Sequence, residues 1–232
     1  MTLRIDVITL FPGVFPGPLA ESIPGRAIAR GLVELHAHDL REWGIGRHRS
    51  VDDYPYGGGA GMVMRPEPIA AALEAVAPVG STATRILLDP GGARFDQAMA
   101  RDLAKKEHLV LVSPRYEGVD DRVRGLVDME VSIGDYVLSG GELPALVVID
   151  AVVRLLPGAI DDASPVEESF SEAMLEYPQF TRPPEFGGVR VPDVLVSGHH
   201  GEVARWRREQ ALERTRRNRP DLLGKDGPPA RD

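Results

Sequence analysis

Four glycines in five positions, within Tyr54-Pro55-Tyr56-Gly57-Gly58-Gly59-Ala60-Gly61-Met62, form the first segment of this chain suited to chemistry. Glycine leaves the backbone N–H unshielded, which favours close approach to a ligand or to another backbone. The loop is not a dinucleotide fingerprint, because Met62 stands where the last glycine would fall, and the chain has no phosphate loop of the G-x-x-x-x-G-K-[ST] type. Arg47-His48-Arg49-Ser50-Val51-Asp52-Asp53, just upstream, adds polar groups able to meet a polyanion. Three more loops follow predicted strands: Asp89-Pro90-Gly91-Gly92, Arg115-Tyr116-Glu117-Gly118, and the run from Ser132 to Gly141. In an open α/β sheet, ligands bind beyond the carboxyl ends of the strands. Each loop alone reads as a turn; together they predict a small-molecule pocket.

Other chemistries find little support. The chain has no cysteine, which removes disulfides, thiolate zinc sites and thiol nucleophiles and fits a reducing cytoplasm. Histidines 36, 38, 48, 108, 199 and 200 show no metal-ligand spacing such as H-E-x-x-H. Ser139 and Ser197 lie near glycine but not in G-x-S-x-G.

The elements that must carry these loops are legible as periodicity. Residues 3–10, 85–88, 108–112 and 127–133 read as strands, and 95–107 and 68–76 as helices. Alternation of this kind predicts an α/β layer with a largely parallel sheet. Ser139-Gly140-Gly141-Glu142 fits a capping box before an apolar run, so a helix is expected from there through Arg154 to Leu156, stopped by Pro157-Gly158. Residues 159–171 carry four carboxylates and no Lys or Arg, which reads as a linker between two domains. The expected division is 1–160, a flexible acidic linker at 161–172, and 173–232.

Composition refines the picture. The formal net charge is −8, yet residues 201–219 hold seven arginines against three glutamates. That segment is +4, leaving about −12 for the remainder. Arginine suits bidentate phosphate contact and base stacking; a solvated helix face is the plainer reading. No uninterrupted apolar stretch is long enough to span a bilayer, and the N-terminus does not read as a signal peptide.

His48-Arg49-Ser50-Val51-Asp52-Asp53 with Tyr56 to Met62, Arg115-Tyr116-Glu117-Gly118, and Ser132-Ile133-Gly134-Asp135-Tyr136-Val137-Leu138-Ser139-Gly140-Gly141-Glu142-Leu143-Pro144 resemble the bacterial tRNA (guanine-N1-)-methyltransferases. Residues 177–183 and Ser197-Gly198-His199-His200 with Arg205-Trp206-Arg207 extend the resemblance to essentially the whole chain, short of a longer C-terminal tail. It implies an α/β SPOUT methyltransferase domain with a deep trefoil knot, followed by a small helical C-terminal domain. It further implies a cytoplasmic homodimer with the active site at the subunit interface, and methyl transfer from S-adenosylmethionine to N1 of guanosine 37 beside the tRNA anticodon.

By that resemblance, Leu88, Asp89, Pro90, Pro114, Tyr116, Glu117, Ile133, Gly134, Asp135, Tyr136, Val137, Leu138, Gly140, Gly141 and Pro144 bind the cofactor. Arg47, His48, Arg49, Asp52, Gly57, Gly58, Gly59, Ser197, His199, Arg205, Arg207 and Arg208 meet tRNA. Arg154 supplies a cation near guanine O6, and Glu168 stands where the family has its aspartate base, with Glu167 as the neighbouring alternative. Pro114 replaces a usual glycine, and Asp89-Pro90-Gly91-Gly92 a usual Ser-Pro-Gln-Gly. Two competing readings are a non-catalytic tRNA-binding homologue of the same fold and a dinucleotide enzyme; the missing G-x-G-x-x-G argues against the latter.

Overall fold

Apolar residues that alternate along Leu3–Thr9 (β1) send Leu3, Ile5 and Val7 into one layer and Ile8 into the other. The structure, a computed structural model, describes residues 2–160, 169–170 and 173–224. The chain separates into two compact units, Met1–Ile160 and Asp161–Asp232.

In the first unit, β1 joins Val33–Asp39 (β2), Thr84–Arg94 (β5), His108–Val112 (β6) and Met129–Ser132 (β7) in a wholly parallel sheet of order β2-β1-β6-β5-β7. Pro16–Leu19 (α1), Ser22–Ala29 (α2), Gln97–Leu103 (α4) and Glu142–Val153 (α5) bury their apolar residues against one face. Pro66–Val76 (α3) covers the other through Ile69, Ala72 and Leu73. Both faces are sealed, as parallel sheets require. In α5, Val148, Ile149, Val152 and Val153 are each at most 2% exposed, worth ~1.5–3 kcal/mol apiece. A charge at Val148 is therefore expected to unseat the helix. A short hairpin, Asp52–Asp53 (β3) with Val63–Met64 (β4), stands apart from the sheet.

Several boundaries differ from the sequence reading. Strand β5 runs on to Arg94, and its register against β7 shifts between Leu88 and Ala93, so residues 89–92 bulge out of the ladder. A Cβ on Gly92 would lie 2.5 Å from the Glu130 carbonyl carbon, which only glycine avoids. Helix α4 is shorter than 95–107 because Asp96 caps it, accepting from Met99 N at 2.9 Å. Strand β2 and helix α2 were not anticipated. The capping box is also corrected. Gly141 is the N-cap of α5 without a side-chain cap, and Glu142 turns into the core. The helix ends at Val153 with Arg154 as C-cap, and Leu155 and Leu156 follow in turns.

The second unit contains a hairpin, Glu185–Phe186 (β8) with Val189–Arg190 (β9), then Asp193–Val196 (α6) and His200–Asn218 (α7). The extended segment 174–180 packs along α7. Thr215 Oγ1 accepts from Leu175 N at 2.8 Å, Arg214 donates to Glu176 O at 3.1 Å, and Trp206 meets Phe180 at 6.3 Å. Among the described residues no helix is long and apolar enough to cross a membrane.

Candidate active site

The bulge of β5 and the carboxyl ends of β6 and β7 surround a cavity of about 210 Å³. Three loops wall it. The β5 bulge brings Leu88, Asp89 and Pro90; the turn after β6 brings Pro114, Tyr116 and Glu117; the loop after β7 brings Ile133, Gly134, Tyr136, Val137, Leu138, Gly140 and Gly141, with Pro144 from α5. Every residue assigned to the cofactor lines this cavity except Asp135, which is exposed. Arg115, Gly118, Val131 and Ser132 also line it and were not singled out. The first two lie inside the Arg-Tyr-Glu-Gly motif, and the last two end β7.

Internal bonds hold the walls. Asp89 accepts from Gly91 N at 2.8 Å and from Arg124 Nη2 at 3.3 Å, so its carboxylate shapes the bulge. Tyr116 adopts φ +61, a left-handed conformation uncommon outside glycine. The turn around it is closed by Gly118 N donating to Arg115 O at 3.1 Å. Pro114 cannot donate, yet its carbonyl accepts from Gly141 N at 2.8 Å and ties the second loop to the third. A Cβ on Gly141 would fall 2.6 Å from Ser113 Cα and 2.7 Å from Pro114 Cδ, so the two backbones meet only because that residue is glycine.

The glycine-rich loop connects β3 to β4 and lies at the lip of the cavity. Gly61, at φ +83, packs so closely that a Cβ would lie 2.6 Å from Glu117 Cγ. Glu117 N donates to Met62 O at 3.0 Å. Gly57, Gly58 and Gly59 are exposed with positive φ. Arg47, His48 and Arg49 occupy an exposed turn closed by Ile45 and Ser50, and Asp52 starts β3. The basic turn, closed by its own Ile45–Ser50 bridge, thus leads directly into the hairpin that carries the glycine loop.

Other predicted residues stand elsewhere. Arg154 is not on the cavity wall; α5 has 12 residues, so its ends are ~18 Å apart at 1.5 Å per residue. Glu167 and Glu168 lie outside the described residues. In the second unit, Ser197 caps a turn, donating to Val194 O at 2.9 Å and accepting from His199 N at 3.1 Å. His199 is the N-cap of α7. Arg205 and Arg208 are exposed, whereas Arg207 is half-buried with its guanidinium 4.7 Å from the Tyr177 ring. That contact gives Arg207 a structural duty within the unit.

The family described as tRNA (Guanine-1)-methyltransferase TrmD matches residues 3–225. A tRNA (guanine-N(1)-)-methyltransferase of Chloroflexus aggregans is 56% identical over 225 residues, covering 96% of this chain and 88% of that protein. Proteins of the same name from Geobacter sulfurreducens, at 56% identity covering 96% and 92%, and from Dictyoglomus turgidum, at 53% covering 96% and 91%, are similar over the same span. A match across nearly the full chain, glycine hairpin and cavity loops included, places this chain in the tRNA (guanine-1)-methyltransferase family.

Proposed function

We propose that this protein transfers a methyl group from S-adenosylmethionine to N1 of guanosine 37 in tRNA, in the cytoplasm. The observation that carries the reading is the cavity at the strand ends, built from the loops that match the family. Its walls mix apolar Leu88, Ile133, Leu138 and Pro144 with polar Tyr116 and Glu117. At about 210 Å³ it is somewhat smaller than pockets for drug-sized ligands, which start near ~300 Å³, and it suits a nucleoside-sized group. S-adenosylmethionine, when bound, supplies an electrophilic methyl with its leaving group already in place.

The chain's own residues must then position guanine N1 and remove its proton. Glu168 takes that proton as general base, and Arg154 offsets the negative charge developing at O6. The distance of Arg154 from the cavity of its own chain supports a site shared between two copies. Leu143 and Val147, 54% and 46% exposed, lie on the same stripe of α5 as Arg154 at spacings of four and seven, an apolar surface suited to a second copy. Membership of the family carries with it the expectation of a threaded chain, the deep trefoil knot of the SPOUT class. Arg47, Arg49, Arg205 and Arg208 are the exposed cations offered to tRNA phosphates.

Labelled methyl transfer to a transcript with guanines at positions 36 and 37, against a position-37 variant, tests the reading. Transfer is expected only to the first. Glu168→Gln is expected to lower turnover by ~10²–10⁴ with cofactor affinity retained. Loss with Glu167→Gln alone would reassign the base.

A further inference from the structure

The turning of Glu142 into the core leaves a carboxylate that the proposed chemistry does not use. Glu142 is 2% exposed and opens α5 from inside the fold. Its Oε1 accepts from Thr9 Oγ1 at 2.8 Å, across 133 positions of sequence. Its Oε2 lies 2.9 Å from Arg115 Nε, out of line with the N–H, so this contact is ionic and not a directed hydrogen bond. Thr9 Oγ1 also accepts from Phe11 N at 3.0 Å, and the Arg115 guanidinium sits 4.4 Å from the Phe11 ring centre. Arg115 Nη1 then donates to Ser139 O at 3.0 Å.

Four segments meet in this network: the end of β1, the turn after β6, the loop after β7 and the start of α5. Gly140 makes room for it, since a Cβ there would lie 2.7 Å from Glu142 Oε2 and run into Arg115. A buried carboxylate beside a charged partner is costly to leave half-satisfied, and the network has two rigid anchors, β1 and α5. Its free end is Ser139 O, within the loop that lines the cavity.

We infer that Glu142 is a positioning residue: held by Thr9, it sets Arg115, and Arg115 clamps the 132–141 loop over the cavity. The consequence for cofactor affinity rests on the pocket reading above; the consequence for loop order does not. Hydrogen exchange of the full-length chain therefore comes first. In Glu142→Gln, amides of 132–141 should exchange about tenfold or more faster, while those of β1 and β6 stay protected. Calorimetry should show S-adenosylmethionine binding weakened about 10–100-fold, the range for losing the hydrogen bond from the charged Arg115 to Ser139 O. The KM for that cofactor should rise while the KM for tRNA stays put. Thr9→Val should reproduce the pattern more weakly and Thr9→Ser should restore it; these two also serve if Glu142→Gln does not fold.

Unchanged exchange at 132–141 in Glu142→Gln and Thr9→Val would overturn the inference. So would exchange rising equally throughout the unit, which marks a merely structural role. If the wild type binds no S-adenosylmethionine while the loop still loosens in Glu142→Gln, the pocket reading fails and the clamp stands.

Discussion

Asp6 and Glu142 are both sealed from solvent beside β1, at 0% and 2% exposure, yet they hold different things. Asp6 lies mid-strand, and both its oxygens are taken by donors on the sheet itself. Arg4 Nε and His108 Nε2 reach Oδ2, and His38 Nε2 reaches Oδ1, each at 2.6 Å. An ionised carboxylate only accepts, so each histidine donates through Nε2. Those donors come from β1, β2 and β6, elements already bonded along their length. Glu142 instead joins elements to loops and has two partners, one through an undirected contact. Asp6 adds stability within the sheet, whereas Glu142 ties a loop of the cavity wall to β1 and α5. The same residue chemistry serves the fold in one place and the site in the other.

The largest expected effect that separates them is on global stability. Asp6→Asn removes a buried charge facing one arginine and two histidines, and should cost about 2–4 kcal/mol in urea unfolding. Exchange at 132–141 and cofactor affinity at permissive temperature should not change. Loosening of that loop in Asp6→Asn would break the distinction. Next comes the pH dependence. Burial pushes the Asp6 carboxyl up, but hydrogen bonds from Arg4, His38 and His108 and the charge of Arg4 outweigh it and hold it below the usual carboxylate range. The folded value is thus the lower one. The stability it confers is complete above the unfolded value near ~3.9 and is lost as pH falls through the folded value. The wild-type advantage over Asp6→Asn in urea midpoint should therefore be full at about pH 6 and shrink toward about pH 3. An advantage that grows on acidification would contradict this assignment.

The same contrast explains what the sequence disclosed. Strands β1 and β6 and helix α5 were legible because their apolar residues follow a local period. Strand β2 was not. Glu34, His36 and His38 interrupt its apolar residues, and the partner that accounts for His38, Asp6, lies 32 positions away. Ser139 and Glu142 satisfy a local capping pattern, but Thr9 and Arg115 compete for the glutamate from elsewhere in the chain and prevail. The cavity loops were readable as glycine-rich turns after strands and as family motifs. A contiguous motif does not say which of its residues border a cavity: Arg115 lines it and Asp135 does not. Arg154 and the cavity stand at opposite ends of α5, a separation that a list of site residues cannot express.

Smaller effects sharpen the account of Asp6. His38→Ala leaves Oδ1 with only the 3.4 Å contact from Arg4 Nη2, while His108→Ala leaves Oδ2 bonded to Arg4 Nε. Each should cost about 1–2 kcal/mol, with His38→Ala the greater, as read from urea midpoints at neutral pH. Arg4→Gln should cost least, under about 1 kcal/mol, because its side chain is 45% exposed and water can replace it. Salt distinguishes the two kinds of contact. The loss caused by Arg4→Gln should shrink further as ionic strength rises, whereas the histidine losses should hold, since the His38 and His108 side chains are only 26% and 13% exposed and salt screens such contacts far less. If the histidine effects fade with salt as well, those contacts are as open to ions as the Arg4 contact, and the distinction between buried and exposed donors to Asp6 fails.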